Sequence, residues 1–324
     1  ALGGVPGFDL FEPTHDCNVK DGKFVGPDGH PLLTSVPTGS PGEGRDIRLA
    51  YNDTDTFFTR LEMNYALNES LNLTALVGYV DLDNEYNDTF NSTGQLPDGS
   101  AAGLPAPFLN TLQQTTFELR LASNNDGAFN YQVGAFWEDR DIGHKTSQNA
   151  FNPSLLGAIG FGPDPATGFT FDWLANRPIQ AEAVSIFASA EYQFSESWLL
   201  SGGLRWTDEE KTTSVGFPFI HSGVAALGLT AIASGFQSGD VGFQDDNISP
   251  ELVLTYVLND SISIYGAYKA GFKSGGIDNN TLPTGSLVLN LNDPDPAVRE
   301  ASGDVLRFAS EESDGGEIGF RSLL

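Results

Sequence analysis

The opening part of the chain places a histidine, an acid and a thiol side by side, in the stretch Thr14–Cys17. A thiol beside an imidazole base is the residue set of cysteine-based nucleophilic catalysis. That chemistry needs a rigid frame to position the groups, and neighbours in a Gly- and Pro-rich segment do not receive one. We therefore expect Cys17, the only cysteine of the chain, to be a free loop thiol, and we expect no enzymatic activity.

Histidines and acids are the other residues that could form a site. The four histidines are His15, His30, His144 and His221, and all of them fall in segments that we predict to be solvated loops. The 81–113 and 274–315 segments are acidic, which suits a hard cation such as calcium, but they lack the fixed spacing of a calcium loop. We predict a solvated, anion-repelling surface with no metal or cofactor site, and the sequence assigns no ligand-binding residue.

The whole chain is acidic, with 43 acids against 16 bases and a formal net charge of -27 over 324 residues. A nucleic-acid partner is excluded, because phosphate contacts require clustered Lys and Arg. A single cysteine excludes an intramolecular disulfide. No run approaches the roughly 18 consecutive apolar residues of a transmembrane helix, which leaves a membrane β-barrel as a possibility.

Four pairs of alternating segments give the strongest structural signal. Apolar and polar residues alternate with a period of two, which is typical of a β-strand with two different faces. Each pair reverses through a short run of Asn, Asp, Ser or Gly, residues that accept the backbone angles of a tight turn. The pairs are 56–80, 115–138, 183–207 and 248–272, and a further strand begins at 315. The sequence therefore predicts about nine strands.

The connections between these hairpins are long, at about 81–113, 139–181, 208–247 and 274–315. Short turns at one end and long loops at the other are typical of a sheet that runs up and down through an outer membrane. Backbone groups in lipid must pair internally, so only a closed barrel is allowed among sheet structures. We predict an all-β, antiparallel, up-and-down transmembrane β-barrel, with short periplasmic turns and long extracellular loops, of which these strands form part.

The strand faces fit a barrel. Charged residues share one parity, and we expect those such as Arg120, Arg205 and Glu251 to line the lumen, where they pair across strands or contact a plug. Aromatic residues fall near both strand ends, as expected at two membrane interfaces. They are Tyr65, Tyr192, Trp198 and Tyr256 near the short turns, and Phe57, Tyr79, Trp137, Trp206 and Tyr268 near the opposite ends.

Several stretches resemble the barrel of TonB-dependent outer-membrane receptors. They are "FELRLAS" with "YQVGAFWEDRD", "SWLLSGGLRWTDEEK", "ISPELVLTYVLNDSISIYGAYKAGFKSGG" and "FASEESDGGEIGFRS". The resemblance covers about residues 50–324 and implies a barrel of about 22 strands with a plugged lumen. On this reading residues 1–50 are an extracellular loop region, and residues 51–324 are an incomplete barrel without the plug domain and the C-terminal strands.

The resemblance also implies a function. A receptor of this family lies in the outer membrane of a Gram-negative bacterium and imports a scarce nutrient, with energy supplied by the TonB–ExbB–ExbD complex through the plug. Its partners would be membrane lipid, that complex and a small-molecule nutrient, with a ferric siderophore as the default. On the residues alone, a passive porin and a secreted soluble β-protein acting as an adhesin or binding module stay open.

One departure from the family pattern concerns the substrate. Haem receptors typically carry a Phe-Arg-Ala-Pro box at the position that reads Phe272-Lys273-Ser274-Gly275 in this chain. The missing Arg and Pro argue against haem as the imported nutrient and leave a siderophore, an oligosaccharide or cobalamin open.

Overall fold

A computed structural model describes residues 40–43, 51–89, 105–148, 164–165, 172–280 and 287–322. The Thr14–Cys17 stretch, His30 and most of the expected 1–50 loop region lie outside these ranges. None of the helices within the described residues is both long and apolar enough to span a membrane.

Strands dominate the described part of the chain. They are β1 (Tyr51–Asn68), β2 (Leu71–Thr89), β3 (Pro105–Ser123), β4 (Phe129–Gln148), β5 (Trp173–Asn176), β6 (Ile179–Ser195), β7 (Trp198–Thr213), β8 (Gly216–Ile220), β9 (Phe236–Gln237), β10 (Val241–Asn259), β11 (Ile262–Lys273), β12 (Gly276–Ile277), β13 (Arg307–Phe308) and β14 (Glu311–Ser322). The helices are α1 (Ser222–Ala226), α2 (Leu287–Asn290) and α3 (Pro296–Leu306).

The long strands form one antiparallel sheet in the order β1-β2-β3-β4-β6-β7-β10-β11-β14. Every long strand pairs with the long strand that follows it along the chain, which is the predicted up-and-down arrangement. The all-β, antiparallel prediction of a partial barrel sheet is confirmed, with nine long strands. Within the described residues, β1 and β14 are the two edges of this sheet.

The predicted short turns all lie at one end of the sheet, but the predicted bounds of the long connections are wrong. Strand β2 continues to Thr89 and β3 already begins at Pro105, so the 81–113 segment is mostly strand. Likewise, β4, β7 and β10 extend well into the other predicted loops. The strand signal was missed because apolar and polar residues stop alternating regularly there, while the pairing between strands continues.

One face of the sheet is apolar and exposed. Leu204, Leu254 and Ile264 are 52%, 40% and 44% exposed, respectively, so they are not sealed between two layers. Pair registers place these residues on the same face as Val133 and Ile318. We call this side the apolar face. A soluble protein of this kind would bury its strand leucines against a second sheet, so their exposure argues against the soluble β-protein that the residues alone leave open.

Aromatic side chains mark both ends of the apolar face. Near the short turns, the rings of Trp198 and Tyr256 are 4.6 Å apart, and Phe194 stacks on Trp198 at 6.1 Å. Near the other ends, Trp137 Nε1 donates a hydrogen bond to Glu182 Oε1 at 2.8 Å. A ring that contacts apolar surface while its N–H reaches a polar group is the side chain expected at a membrane interface.

Beyond the outer aromatic row the same side of the sheet becomes acidic. Trp206 Nε1 donates to Asp246 Oδ2 at 3.2 Å, which marks the change from ring to carboxylate. The acids on this side include Asp81, Asp83, Asp139, Asp141, Asp208, Glu210 and Asp246. The apolar band is thus bounded along the strands, as hydrocarbon of limited thickness requires.

The long connections after β4, β7 and β11 pack on one another. Their shared core, which we call the loop core, consists of Trp173, Ala175, Val215, Phe217, Ile220, Val224, Ile232, Val241, Val288, Leu291 and Leu306. The apolar stretch 222–235, for which the sequence alone indicates no role, supplies Val224 and Ile232 to this core. Asn292 ties two of the connections by accepting from Gly239 N at 2.6 Å and donating to Gln237 O at 2.7 Å.

Adjacent positions on β4 allow a matched test of the two faces. Val133 is 41% exposed on the apolar face, and Gln132 lies on the opposite face. In the full-length protein, Val133→Arg should lower the free energy of unfolding by about 2–4 kcal/mol, the cost of Arg near a bilayer midplane. Urea unfolding in lipid vesicles measures this loss. Gln132→Arg is the control, and equal effects of the two changes would contradict the assignment of the faces.

The loop core should be independently sensitive to loss of volume. Phe217 is fully buried, so Phe217→Ala should cost about 3–5 kcal/mol of local stability and open the connections to protease. Limited proteolysis with mass spectrometry measures the gain in cleavage within 213–241 and 273–311. Val305→Ala is the control, because Val305 is 69% exposed on α3; unchanged cleavage in the Phe217 variant would show that the connections do not depend on this core.

Candidate functional site

The face opposite the apolar face carries the charged residues, and we call it the polar face. Arg60, Arg120, Glu138, Arg205 and Glu251 all lie on it, as pair registers show. Large polar side chains on one side and exposed apolar ones on the other are the arrangement of a barrel with a wet interior. The polar face therefore corresponds to the interior side of such a barrel.

A chain of ion pairs crosses the polar face from β4 to β7. Arg140 Nε lies 2.6 Å from Glu138 Oε1, and Arg140 Nη2 lies 2.8 Å from Glu209 Oε1. Lys211 Nζ continues the chain at 3.2 Å from Glu209 Oε2. Arg140 spans β6 because Ala181 stands opposite it in the register, a side chain too small to block the path. These ion pairs hold the charged side chains in place and offset the repulsion between like charges on this face.

The last member of this chain anchors the connection after β11. Lys211 Nζ donates to Ser274 Oγ at 3.0 Å and to Gly275 O at 2.7 Å. Gly275 N donates to Ser310 Oγ at 2.9 Å, and a Cβ at Gly275 would lie 2.3 Å from Phe308 O. A proline here would lose the N–H and clash, so the structure disfavours the proline of the Phe-Arg-Ala-Pro box at this position.

Three rings gather at the outer ends of β2, β3 and β4, on the polar face, and we call them the ring cluster. Tyr86 and Phe108 stack with centroids 4.9 Å apart and planes at 14°. His144 lies 5.7 Å from Phe108 at 39°. All three side chains are half-buried, so part of this aromatic surface stays accessible. Such a surface can stack against a planar group of a ligand.

His144 is held as a neutral imidazole. Nδ1 donates to Asn110 Oδ1 at 2.6 Å, and Nε2 accepts from Thr146 Oγ1 at 3.2 Å. Thr146 in turn accepts from Arg177 Nη1 at 3.4 Å. Burial, and then the charge of Arg177, lower the pKa of His144. Burial also lowers the pKa of Arg177 to about 10, so this guanidinium stays charged at neutral pH.

Two of the predicted loop histidines are therefore corrected. His144 lies within β4 rather than in a solvated loop, because β4 extends to Gln148. His221 is 2% exposed and caps α1, with Nδ1 accepting from Gly223 N at 2.9 Å. His15 and His30 lie outside the described residues. Across the described ranges, no three His, Cys, Asp or Glu side chains are grouped so that they could hold a metal ion.

The charged residues that were predicted to line the lumen form different kinds of contact. Glu251 pairs across strands with Lys269, with Oε2 and Nζ 3.2 Å apart, as expected. Arg120 pairs with Glu118 on its own strand, with Nε and Oε1 2.6 Å apart. Arg205 forms no ion pair with the described residues and lies among rings and hydroxyls instead.

Sequence reasoning missed the ring cluster, Arg140 and Arg177. Tyr86, Phe108 and His144 fall in segments predicted as loops, where nothing indicates that they face one another. The missed signal is the continued pairing register: once β2, β3 and β4 are extended in step, Tyr86 stands opposite Phe108, and Asn110 opposite His144.

Comparison with known proteins agrees with this geometry. Residues 17–324 match the family described as "TonB dependent receptor-like, beta-barrel", and the chain therefore belongs to that family. The ferric yersiniabactin uptake receptor FyuA from Yersinia pestis is similar in structure, with a TM-score of 0.61 and 15% identity over 90% of this chain and 35% of that chain. The closed form of the ferric-catecholate import receptor Fiu from E. coli K12 has a TM-score of 0.53 and 14% identity over 84% of this chain and 39% of that chain.

The chain thus spans little more than a third of the length of these receptors. At such identities the likeness shows a shared fold, which is the TonB-dependent receptor barrel predicted from the sequence. A search of curated proteins found no match.

The lowered pKa of His144 predicts that the stability of the outer strand ends depends on pH. Because the folded pKa lies below the ordinary value of 6.5, the neutral form is favoured by folding, and stability is lost as pH falls from about 6.5 through the folded pKa. Hydrogen exchange of peptides at the outer ends of β3 and β4, corrected for intrinsic rates, should accelerate between pH 7.5 and pH 5.5. In His144→Asn this pH dependence should be absent, and an unchanged pH dependence would assign it to another group.

Proposed function

We propose that this chain is part of an outer-membrane receptor that imports a scarce nutrient, with a ferric siderophore as its substrate. Energy comes from the TonB–ExbB–ExbD complex, acting on a plug segment outside the 324 residues. The protein lies in the outer membrane of a Gram-negative bacterium, in contact with lipid along its apolar face. Its part in the process is binding and transport, with no catalytic step.

The observation that carries this proposal is the division of a single sheet into two chemically opposite faces. An exposed apolar face bounded by aromatic rows fits hydrocarbon of limited thickness. The polar face, with its fixed ion pairs, fits a lumen that a ligand or a plug occupies. A binding module in water would gain nothing from exposing Leu61, Ile186 and Phe320, which are 68%, 59% and 75% exposed.

Membership of the receptor family supports the transport role. FyuA and Fiu are described as uptake and import receptors for ferric complexes, which supports iron as the cargo. Half-buried rings at the outer rim support a ligand with planar groups, since stacking on such rings is favourable.

For the arrangement of the chain, we propose that residues 1–50 form an extracellular loop region and that residues 51–324 form the incomplete barrel. The start of β1 at Tyr51 supports this division. A small turn at residues 40–43 contacts the strand ends, where Gly42 N donates to Glu85 Oε1 at 2.8 Å.

Iron uptake by a deletion strain tests the function. Cells that lack the full-length receptor should lose uptake of radioactive iron from at least one ferric siderophore, and a plasmid copy should restore it. Restoration should fail in cells without TonB, because the receptor depends on that energy source. Expression should rise under iron starvation.

The same experiment separates the alternatives. A passive porin would restore uptake without TonB and would admit unrelated small solutes. A soluble adhesin would restore none and would leave the cell in the culture medium. Uptake that is independent of the receptor for every ferric siderophore tested, with no induction by iron starvation, would overturn iron transport.

A further inference from the structure

We propose that Arg205 is a prepared oxyanion-binding site on the polar face. Its partner is a carboxylate or another oxygen anion presented inside the barrel, carried either by the plug or by an anionic ferric chelate. This inference rests on the proposed function and adds a specific recognition residue to it.

Arg205 is held in place by four neutral groups. Its guanidinium carbon lies 5.4 Å from the ring centroid of Phe136 and 5.7 Å from that of Phe187. Nη2 donates to Ser185 Oγ at 2.9 Å, and Nε donates to Thr207 Oγ1 at 3.3 Å. The side chain is nonetheless exposed, so it combines a fixed position with access to the lumen.

The sheet is shaped to seat this arrangement. The Phe187 ring lies over Gly134, where any Cβ would be 2.3 Å from the ring carbon Cζ. Gly134 stands opposite Phe187 in the register, and Phe187 stands opposite Arg205. The absence of a side chain at Gly134 therefore lets the ring cover β4 and support the guanidinium.

Several other cations of the polar face are already neutralised. Arg60, Arg120 and Lys269 each pair with a glutamate, at 2.5, 2.6 and 3.2 Å. Two acids of the same face, Glu209 on the strand of Arg205 and Glu251 on the adjacent β10, form ion pairs with other cations. No carboxylate among the described residues forms an ion pair with Arg205.

A fixed and unneutralised guanidinium is suited to a planar oxyanion. Its remaining N–H groups form a fork that matches the two oxygens of a carboxylate or the oxygens of a chelate. The acidic band beyond Trp206 lies on the other side of the sheet, so an unneutralised cation on the polar face gives an anionic group inside the barrel a favourable place to bind. Ring contacts keep this cation in position before its partner arrives.

Labelling of the purified full-length receptor with the arginine reagent phenylglyoxal tests the proposal and separates the two sources. Arg60 is the internal control, because it lies on the same face and its side chain is 64% exposed. Mass spectrometry quantifies modification at both residues without ligand, with a ferric tricatecholate that is anionic, and with a ferric trihydroxamate that is neutral.

If the plug supplies the anion, Arg205 should be protected at least about tenfold relative to Arg60 before any chelate is added. R205Q should then accelerate protease cleavage of the plug by about tenfold, which is the effect expected from the loss of one charge-assisted hydrogen bond. R60Q should not accelerate it. If the chelate supplies it, Arg205 should react freely in the empty receptor and be protected by the anionic chelate but not by the neutral one.

Two results would overturn the proposal. One is modification of Arg205 as fast as that of Arg60 under all three conditions. The other is protection of Arg205 without any effect of R205Q on plug cleavage or chelate binding, which would be shielding alone. Either result with iron uptake intact would reject this inference and leave the proposed function standing.

Discussion

The pairing of backbone N–H and C=O groups between neighbouring strands is the constraint on which this structure depends. It continues without interruption from β1 to β14 through the nine long strands. Since side chains alternate across a strand, one register divides all nine strands into the same two faces. A membrane tolerates this only when every backbone group is paired and one face is apolar. The exposed leucines and the ionic polar face are therefore two consequences of one hydrogen-bonding pattern.

The same pairing also builds the region beyond the aromatic rows. There the strands no longer need one apolar side, so polar residues occupy much of both faces while the pairing between strands continues. These extended ends support the loop core and bring Tyr86 and Phe108 into contact. A rim made of paired strands holds side chains more firmly than free loops would.

Charge on the polar face is organised locally although the chain as a whole is acidic. Most cations are held against glutamates, which fixes their positions and cancels their fields. Arg205 is held by rings and hydroxyls, which fix its position without cancelling its charge. The position of a cation is thus controlled separately from its net charge. Ion pairs fix most cations and neutralise them, whereas neutral neighbours fix Arg205 and leave it charged.

The sequence by itself determined the strand type, the four hairpins, the two faces and the family, because these depend on local alternation and turn residues. It placed Arg120 and Glu251 on the polar face, but it gave wrong ends for the long connections, since polar strand ends carry no apolar alternation. Only the tertiary structure decided that His144 lies within β4, that Val224 packs into a shared loop core and that Arg205 has no acidic partner among the described residues. Those facts depend on which distant residues meet across strands, and no local pattern in the chain specifies such meetings.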